Sequence, residues 1–237
     1  SQLYAQIDQG IFNEEGYDLT VFPSDSSYLI TGTCDYIPTG GASAFWIKID
    51  HLGDETANII WDDSTNYYNN AFETAHYSDH FCSIGSKGYG IWGWAPTIYK
   101  LNNDGNKINQ YMIFNNDTSA TADAIRIYMD TLFIIGARWD DVDPPYQEYC
   151  KVFLTDTAGG ILERRTLYNQ LQSPRNIEKT IDDKIIVMCG FYIGSNWDIY
   201  FYKLNQYLED DTLYNIQLTY DSLCPGTIIS DTMTIDC

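Results

Sequence analysis

Apolar and polar residues alternate along most of this chain, and four times the alternation runs into a glycine, at Gly32, Gly85, Gly136 and Gly190. The steps from 32 to 85 to 136 to 190 are 53, 51 and 54 residues, a period typical of solenoids, propellers and arrays. Aligned on the glycines, the segments YDLTVFPSDSSYLITG, FETAHYSDHFCSIG, AIRIYMDTLFIIG and IEKTIDDKIIVMCG each read as a strand, a short polar turn and a β-branched strand. That pattern predicts a hairpin.

A third strand follows in each unit: Phe45 to Asp50, Ile98 to Asn102, Cys150 to Asp156 and Ile199 to Asn205. Each carries one long cation whose stem can lie along an apolar face. Turn residues lead to fourth strands at Ala57 to Trp61, Gln110 to Phe114, Leu162 to Tyr168 and Thr212 to Leu218, the last reached without a glycine. Four antiparallel strands per unit, restated four times with no helical period, predict an all-β chain folded as a β-propeller of four-stranded blades. A β-helix uses shorter rungs, and a sandwich does not repeat one strand order four times.

The repeats span about 11–69, 70–119, 120–172 and 173–223, giving one domain over 1–223 and a short tail or junction over 224–237. Four blades are favoured, with five blades or a fragment of a larger ring as the alternatives. Gln2 to Ile7 resembles the fourth strands, so the chain opens on what reads as an outer strand able to cover a sheet edge. The longest apolar runs are strand-length, which predicts no membrane-spanning helix and no direct insertion into a bilayer.

Charge narrows the partners. With 33 acidic residues against 13 basic ones the formal net charge is −20, a field that repels nucleic acid and anionic membrane surfaces. The same acidity serves solubility in an exposed protein. Hard-oxygen clusters occur at Asp62-Asp63, Asp140-Asp141-Val142-Asp143 and Asp210-Asp211, none with the spacing of an EF-hand. If a cation such as Ca2+ is held, Asp140, Asp141 and Asp143 are its expected ligands; no other cofactor is expected.

Six cysteines, at 34, 82, 150, 189, 224 and 237, show neither CxxC nor Cys/His zinc spacing. An even count in a chain of secreted character favours disulfides over metal. Cys224 and Cys237 bracket a tail with little apolar content and are the expected pair. Cys34, Cys82, Cys150 and Cys189 read equally as buried thiols or as bridged residues.

The connections between second and third strands vary in length, and irregular loops on a rigid scaffold are where recognition concentrates. They hold Tyr36; Tyr89, Trp92 and Trp94; Trp139, Asp140 and Tyr146; and Trp197. Ring faces with neighbouring acids suit sugars or a protein surface, while packing between blades is the competing role for the same tryptophans. Phe45, Trp46, Trp61 and Phe201, inside strands, are expected to fill the space between sheets.

Catalytic signatures are thin. His51, His76 and His80 lack the helical spacing of metalloproteases, and no GxSxG, Walker or dinucleotide loop occurs. Asp35, Asp140, Asp141, Glu148 and Asp198 could supply paired carboxylates for glycoside hydrolysis, although an acidic chain places some carboxylates on any face. No catalytic residue is assigned.

The blocks Ser27 to Gly32, Trp46 to Asp50 and Tyr99 to Gly105 resemble the repeats of propeller-like proteins exported by the bacterial type IX secretion route. Tyr220 to Pro225, with Ser230 to Thr232 and Asp236-Cys237, is similar to the junction that precedes further modules and a sorting domain in such proteins. The third and fourth units lack the Asn-Gly-Asp turn of that family. The resemblance implies a cell-surface or extracellular module, joined to other modules of the same polypeptide, and assigns no catalytic residue. Asp130-Thr131-Leu132, Asp156-Thr157-Ala158, Asp211-Thr212-Leu213 and Asp231-Thr232-Met233 are similar to the O-glycosylation triplet of those bacteria. The function expected is non-enzymatic recognition of a glycan or protein; the alternatives are a structural spacer and a glycoside hydrolase.

Overall fold

The strand pattern is realised in a computed structural model that describes residues 14–22, 25–36, 41–61, 68–77, 80–89, 93–113, 119–129, 132–140, 148–167, 171–193 and 196–211. Among these, fifteen strands and no helix occur. The first sheet comprises β1 (Glu14–Val21), β2 (Tyr28–Tyr36), β3 (Gly41–Ile49) and β4 (Glu55–Trp61). The second comprises β5 (Asn69–Tyr77), β6 (His80–Tyr89), β7 (Gly93–Asn102) and β8 (Lys107–Met112), and the third β9 (Ser119–Tyr128), β10 (Leu132–Asp140), β11 (Glu148–Asp156) and β12 (Ile161–Thr166). The fourth comprises β13 (Leu171–Lys179), β14 (Ile185–Ile193) and β15 (Asn196–Leu204). In every sheet the strands run antiparallel in sequence order. The expected strand at Thr212 to Leu218, the opening segment Gln2 to Ile7 and the tail with Cys224 and Cys237 lie outside the described residues.

One turn recurs at the end of each third strand. Asp50, Asn102, Asp156 and Asn205 each accept two backbone N–H bonds on Oδ1, from the residues two and four positions on, at 2.7–3.1 Å. The residue three positions on donates its N–H to the backbone carbonyl of the same Asp or Asn and sits in the left-handed region: Gly53 at φ 95°, Gly105 at 86°, Gly159 at 80° and Leu208 at 58°. An Asx-capped turn closed by a left-handed residue matches the twist of a hairpin. Leu208 takes the glycine's place and is buried.

These turns give a truer register than the glycines do. Gly32 and Gly85 each pair with the residue five before the turn's Asp or Asn, namely Phe45 and Thr97. Gly136 pairs with Val152, four before Asp156, and Gly190 with Ile199, six before Asn205. The glycines therefore serve different ends. A Cβ on Gly85 would lie 1.8 Å from the Asn70 carbonyl oxygen, where β5 bulges between Ala71 and Glu73. A Cβ on Gly136 would instead strike Pro174 of β13, 2.6 Å from its Cγ.

Successive sheets pack face to face through three buried clusters. Trp46 and Leu29 of the first sheet meet Phe81, Tyr99 and Leu101 of the second. Ile84 and Ile98 of the second meet Ile125, Phe133 and Phe153 of the third, whose Ile134 and Val152 meet Ile177, Val187 and Leu204 of the fourth. A smaller cluster of Cys34, Phe45, Ile47 and Ile49 occupies the opposite face of the first sheet.

The position four residues before the turn is Trp46, Ile98, Val152 and Phe201 in the four sheets. The first three are fully buried against the next sheet. Phe201 is 64% exposed, contrary to the expectation that it fills space between sheets. It lies on the face of the fourth sheet turned away from the third, and no described sheet follows to cover it. Phe45, Trp46 and Trp61 are buried as expected.

Cys34, Cys82, Cys150 and Cys189 are all buried. Burial pushes the Cys82 thiol up to about 12.

Candidate functional site

Two places in this architecture are suited to function. One is the end of each sheet where second and third strands are joined. The strand register puts Tyr36, Tyr89, Trp139 and Asp140 at the last positions of β2, β6 and β10, and Trp94 and Trp197 at the second positions of β7 and β15. Trp94 and Trp197 are equivalent, each eight residues before the Asn that opens the following turn. The structure thus brings these residues to the same end of their respective sheets. The side chains of Tyr36, Tyr89, Trp139, Asp140 and Trp197 lie outside what is described, as do Trp92, Tyr146, Asp141 and Asp143 altogether. The carboxylates of Asp35, Glu148 and Asp198 do so too.

Trp94 is the expected residue whose surroundings are described. Half-buried, it sits with its ring centroid 5.8 Å from that of Tyr68, inclined at 50°. Tyr68 is 47% exposed and immediately precedes β5. Its carbonyl accepts the Gly88 N–H at 2.7 Å, and Gly88 is the cross-strand partner of Trp94. The two tilted rings, partly open to water, present aromatic faces at this end of the sheet.

The second place was not singled out by the sequence. The first strands of all four sheets, β1, β5, β9 and β13, line one cavity of about 480 Å3. Its charged lining is Asp18, Glu73, Arg126, Glu178 and Lys179. Asp18 Oδ2 accepts the Thr74 N–H of the next sheet at 2.8 Å, and Glu73 Oε2 accepts the Ile125 N–H of the next at 2.8 Å. The two carboxylates occupy equivalent positions after the bulges of β1 and β5, so one tie between first strands is repeated.

Arg126 extends the tie to the fourth sheet. Its guanidinium bonds the Glu73 carboxylate on one side, and Asn176 Oδ1 at 3.1 Å and Glu178 Oε1 at 2.9 Å on the other. Burial is the largest influence on Glu73 and raises its carboxyl above the ordinary 4.5, although Arg126 and the Ile125 N–H pull the other way. Burial also opposes the Arg126 cation, but Glu178 and Glu73 hold it above the usual arginine range. The volume suits a small ligand, yet these carboxylates already bind backbone amides or Arg126. The lining is built as a connection between sheets.

A hydroxyl chain runs beside it between the first two sheets. Thr31 Oγ1 lies 2.6 Å from Thr74 Oγ1, Thr74 in turn contacts the Ser83 hydroxyl, and Trp46 Nε1 donates to Ser83 Oγ at 2.6 Å. Alternation alone does not signal any of this, because Asp18, Glu73 and Arg126 stand where a half-exposed strand carries ordinary polar residues. Their spacing, 55 and 53 residues along the chain, is the one available hint.

Among the described residues, no three His, Cys, Asp or Glu side chains converge to hold a metal ion. No protein-family model matches the chain, and no curated protein matches it.

Proposed function

We propose that this chain is a β-propeller module of a secreted or surface-displayed protein, and that it binds a glycan or protein surface without transforming it. Support for the propeller comes from the four first strands around one cavity and from sheets that pack each on the next in chain order. Support for binding rests on one observation, the partly exposed Trp94–Tyr68 pair where the second-to-third-strand connections gather. Aromatic faces on a chain of net charge −20 suit the apolar faces of sugars, and the chain's charge repels polyanions.

A glycan array probed with the wild-type protein and with Trp94→Ala and Tyr68→Ala tests the reading. Retention of a glycan by the wild type and at least tenfold weaker retention by both variants are expected. Undiminished binding by both would remove this surface from the role, and absence of binding to glycans and to extracellular proteins would leave the module as a spacer. The spacer reading draws on the mutually satisfied charges of the central cavity.

A further inference from the structure

Cys150 and Cys189 face each other across the contact between the third and fourth sheets, with their sulfur atoms 3.3 Å apart. Cys150 opens the inner part of β11, opposite Arg138 of β10. Cys189 lies in β14, between Pro174 of β13 and Tyr200 of β15. Both are fully buried, within one cluster with Ile134, Val152, Val187 and Leu204. The two thiols come from different sheets and are 39 residues apart in sequence, so no local turn geometry brings them together. We propose that Cys150 and Cys189 form a disulfide that joins the third sheet to the fourth.

The chemistry is thiol–disulfide exchange with an external disulfide RSSR, either a small-molecule disulfide or the oxidised site of a dithiol oxidoreductase. The thiolate of one cysteine attacks RSSR, forming a protein–S–SR mixed disulfide and releasing RS−. The thiolate of the other displaces the second RS−. Two protein thiols are oxidised, one external disulfide is reduced, and two protons pass to the two RS− groups. Exchange takes place as the two sheets dock, since the packed interface excludes a reagent from both sulfurs and buried thiols resist ionisation. Cys82 is also buried, and no sulfur lies beside it among the described residues.

The bridge has a position that matters for the binding reading, though it does not depend on it. Cys150 is the third residue of β11, which pairs with the β10 strand that ends in Trp139 and Asp140, and Cys189 lies on β14, which pairs with the β15 strand that carries Trp197. A covalent link here fixes β11 and β14 relative to one another, which lowers the ordering cost of any ligand that touches the ends of both sheets.

Peptide mapping of the full chain decides the matter. The protein is refolded with reduced and oxidised glutathione, its remaining thiols are blocked with iodoacetamide in denaturant, and it is digested with trypsin without reduction. Trypsin places Cys150 alone in residues 139–151 and Cys189 alone in 185–203. The expected product is one cross-linked species of these two peptides, 2 Da below the sum of the separate peptides and released by dithiothreitol. The Cys82 peptide should be alkylated. Cys150→Ser and Cys189→Ser should each abolish the species, and dithiothreitol should lower the unfolding midpoint of the wild type by more than that of the double variant. Recovery of both peptides in alkylated form from refolded wild-type protein overturns the proposal, as does a cross-link of either cysteine to a different partner. The wild-type map alone is sufficient if the variants do not fold.

Discussion

Arg126 and Glu73 are bonded across the boundary between the second and third sheets, while the second oxygen of Glu73 accepts the N–H of Ile125, the residue next to its own ion-pair partner. One carboxylate thus fixes both the backbone and the side chain of β9. Removing the cation strands a mostly buried carboxylate, whereas removing the carboxylate leaves Arg126 with Glu178 and Asn176. Arg126→Met should therefore destabilise the protein by about 3 kcal/mol. Glu178→Gln, at a carboxylate 59% exposed, should cost less than about 1 kcal/mol. Urea denaturation of the two variants checks the order; equal effects would mean that Glu73 does not anchor the contact.

The ionisation of the same group sets a pH dependence of unusual sign for a salt-bridged carboxylate. Glu73 is raised above 4.5 in the folded state, so its contribution is present below that value and is lost as pH rises through the folded pKa. Asp25 and Asp182 behave oppositely. Asp25 is lowered from 3.8 to about 2, first by the Ser27 hydroxyl and N–H and then by Lys48, and Asp182 to about 2, first by Lys203 and then by Thr180. Their contribution is present above 3.8 and is lost as pH falls through about 2. Stability measured in urea from pH 6 to pH 2 should decline at the acid end in the wild type. Asp25→Ala with Asp182→Ala should flatten that decline, and Glu73→Gln should remove a loss of stability on the side above pH 4.5.

How much of this was legible in the sequence depends on the distance over which a residue acts. The strands and hairpins follow from local alternation and Asx turns, but second and third strands run on past the glycines, so that Tyr36, Tyr89, Trp94, Trp139, Asp140 and Trp197, read as loop residues, stand at the ends of β2, β6, β7, β10 and β15. The glycine period also held, but for mixed reasons: Gly85 yields to a bulge in its own sheet, and Gly136 to Pro174 of the next. Asp50, Asn102, Asp156 and Asn205 were the better ruler, because each side chain makes the same two bonds within five residues. The cavity was not legible, since Asp18, Glu73 and Arg126 act on strands fifty residues away and look like surface charges on their own. The burial of Phe201 was misjudged because composition does not tell the face of a sheet that has a neighbour from the face that lacks one.

Glycine substitutions separate those reasons experimentally. Gly85→Ala forces a methyl onto the Asn70 carbonyl and should cost about 3 kcal/mol or prevent folding. Gly16→Ala meets nothing closer than Ile30 Cγ2 at 3.5 Å, with an ordinary backbone conformation, and should change stability by less than about 1 kcal/mol. Thermal unfolding of both variants provides the comparison, and a tolerated Gly85→Ala would show that the bulge of β5 is free to move.

The last test concerns the two faces of the fourth sheet. Val152 and Phe201 hold the same place in their sheets, but Val152 is sealed against the fourth sheet and Phe201 faces water. Truncating Val152 to Ala removes buried methyl groups from a packed interface and should cost about 2 kcal/mol. Replacing Phe201 by Ser removes an exposed ring and should stay within about 0.5 kcal/mol of the wild type, while reducing any concentration-dependent association through that face. Urea denaturation gives the first two quantities and light scattering the third. A large stability loss from Phe201→Ser would mean that the outer face of the fourth sheet is covered in solution, and that the array of sheets continues or closes there.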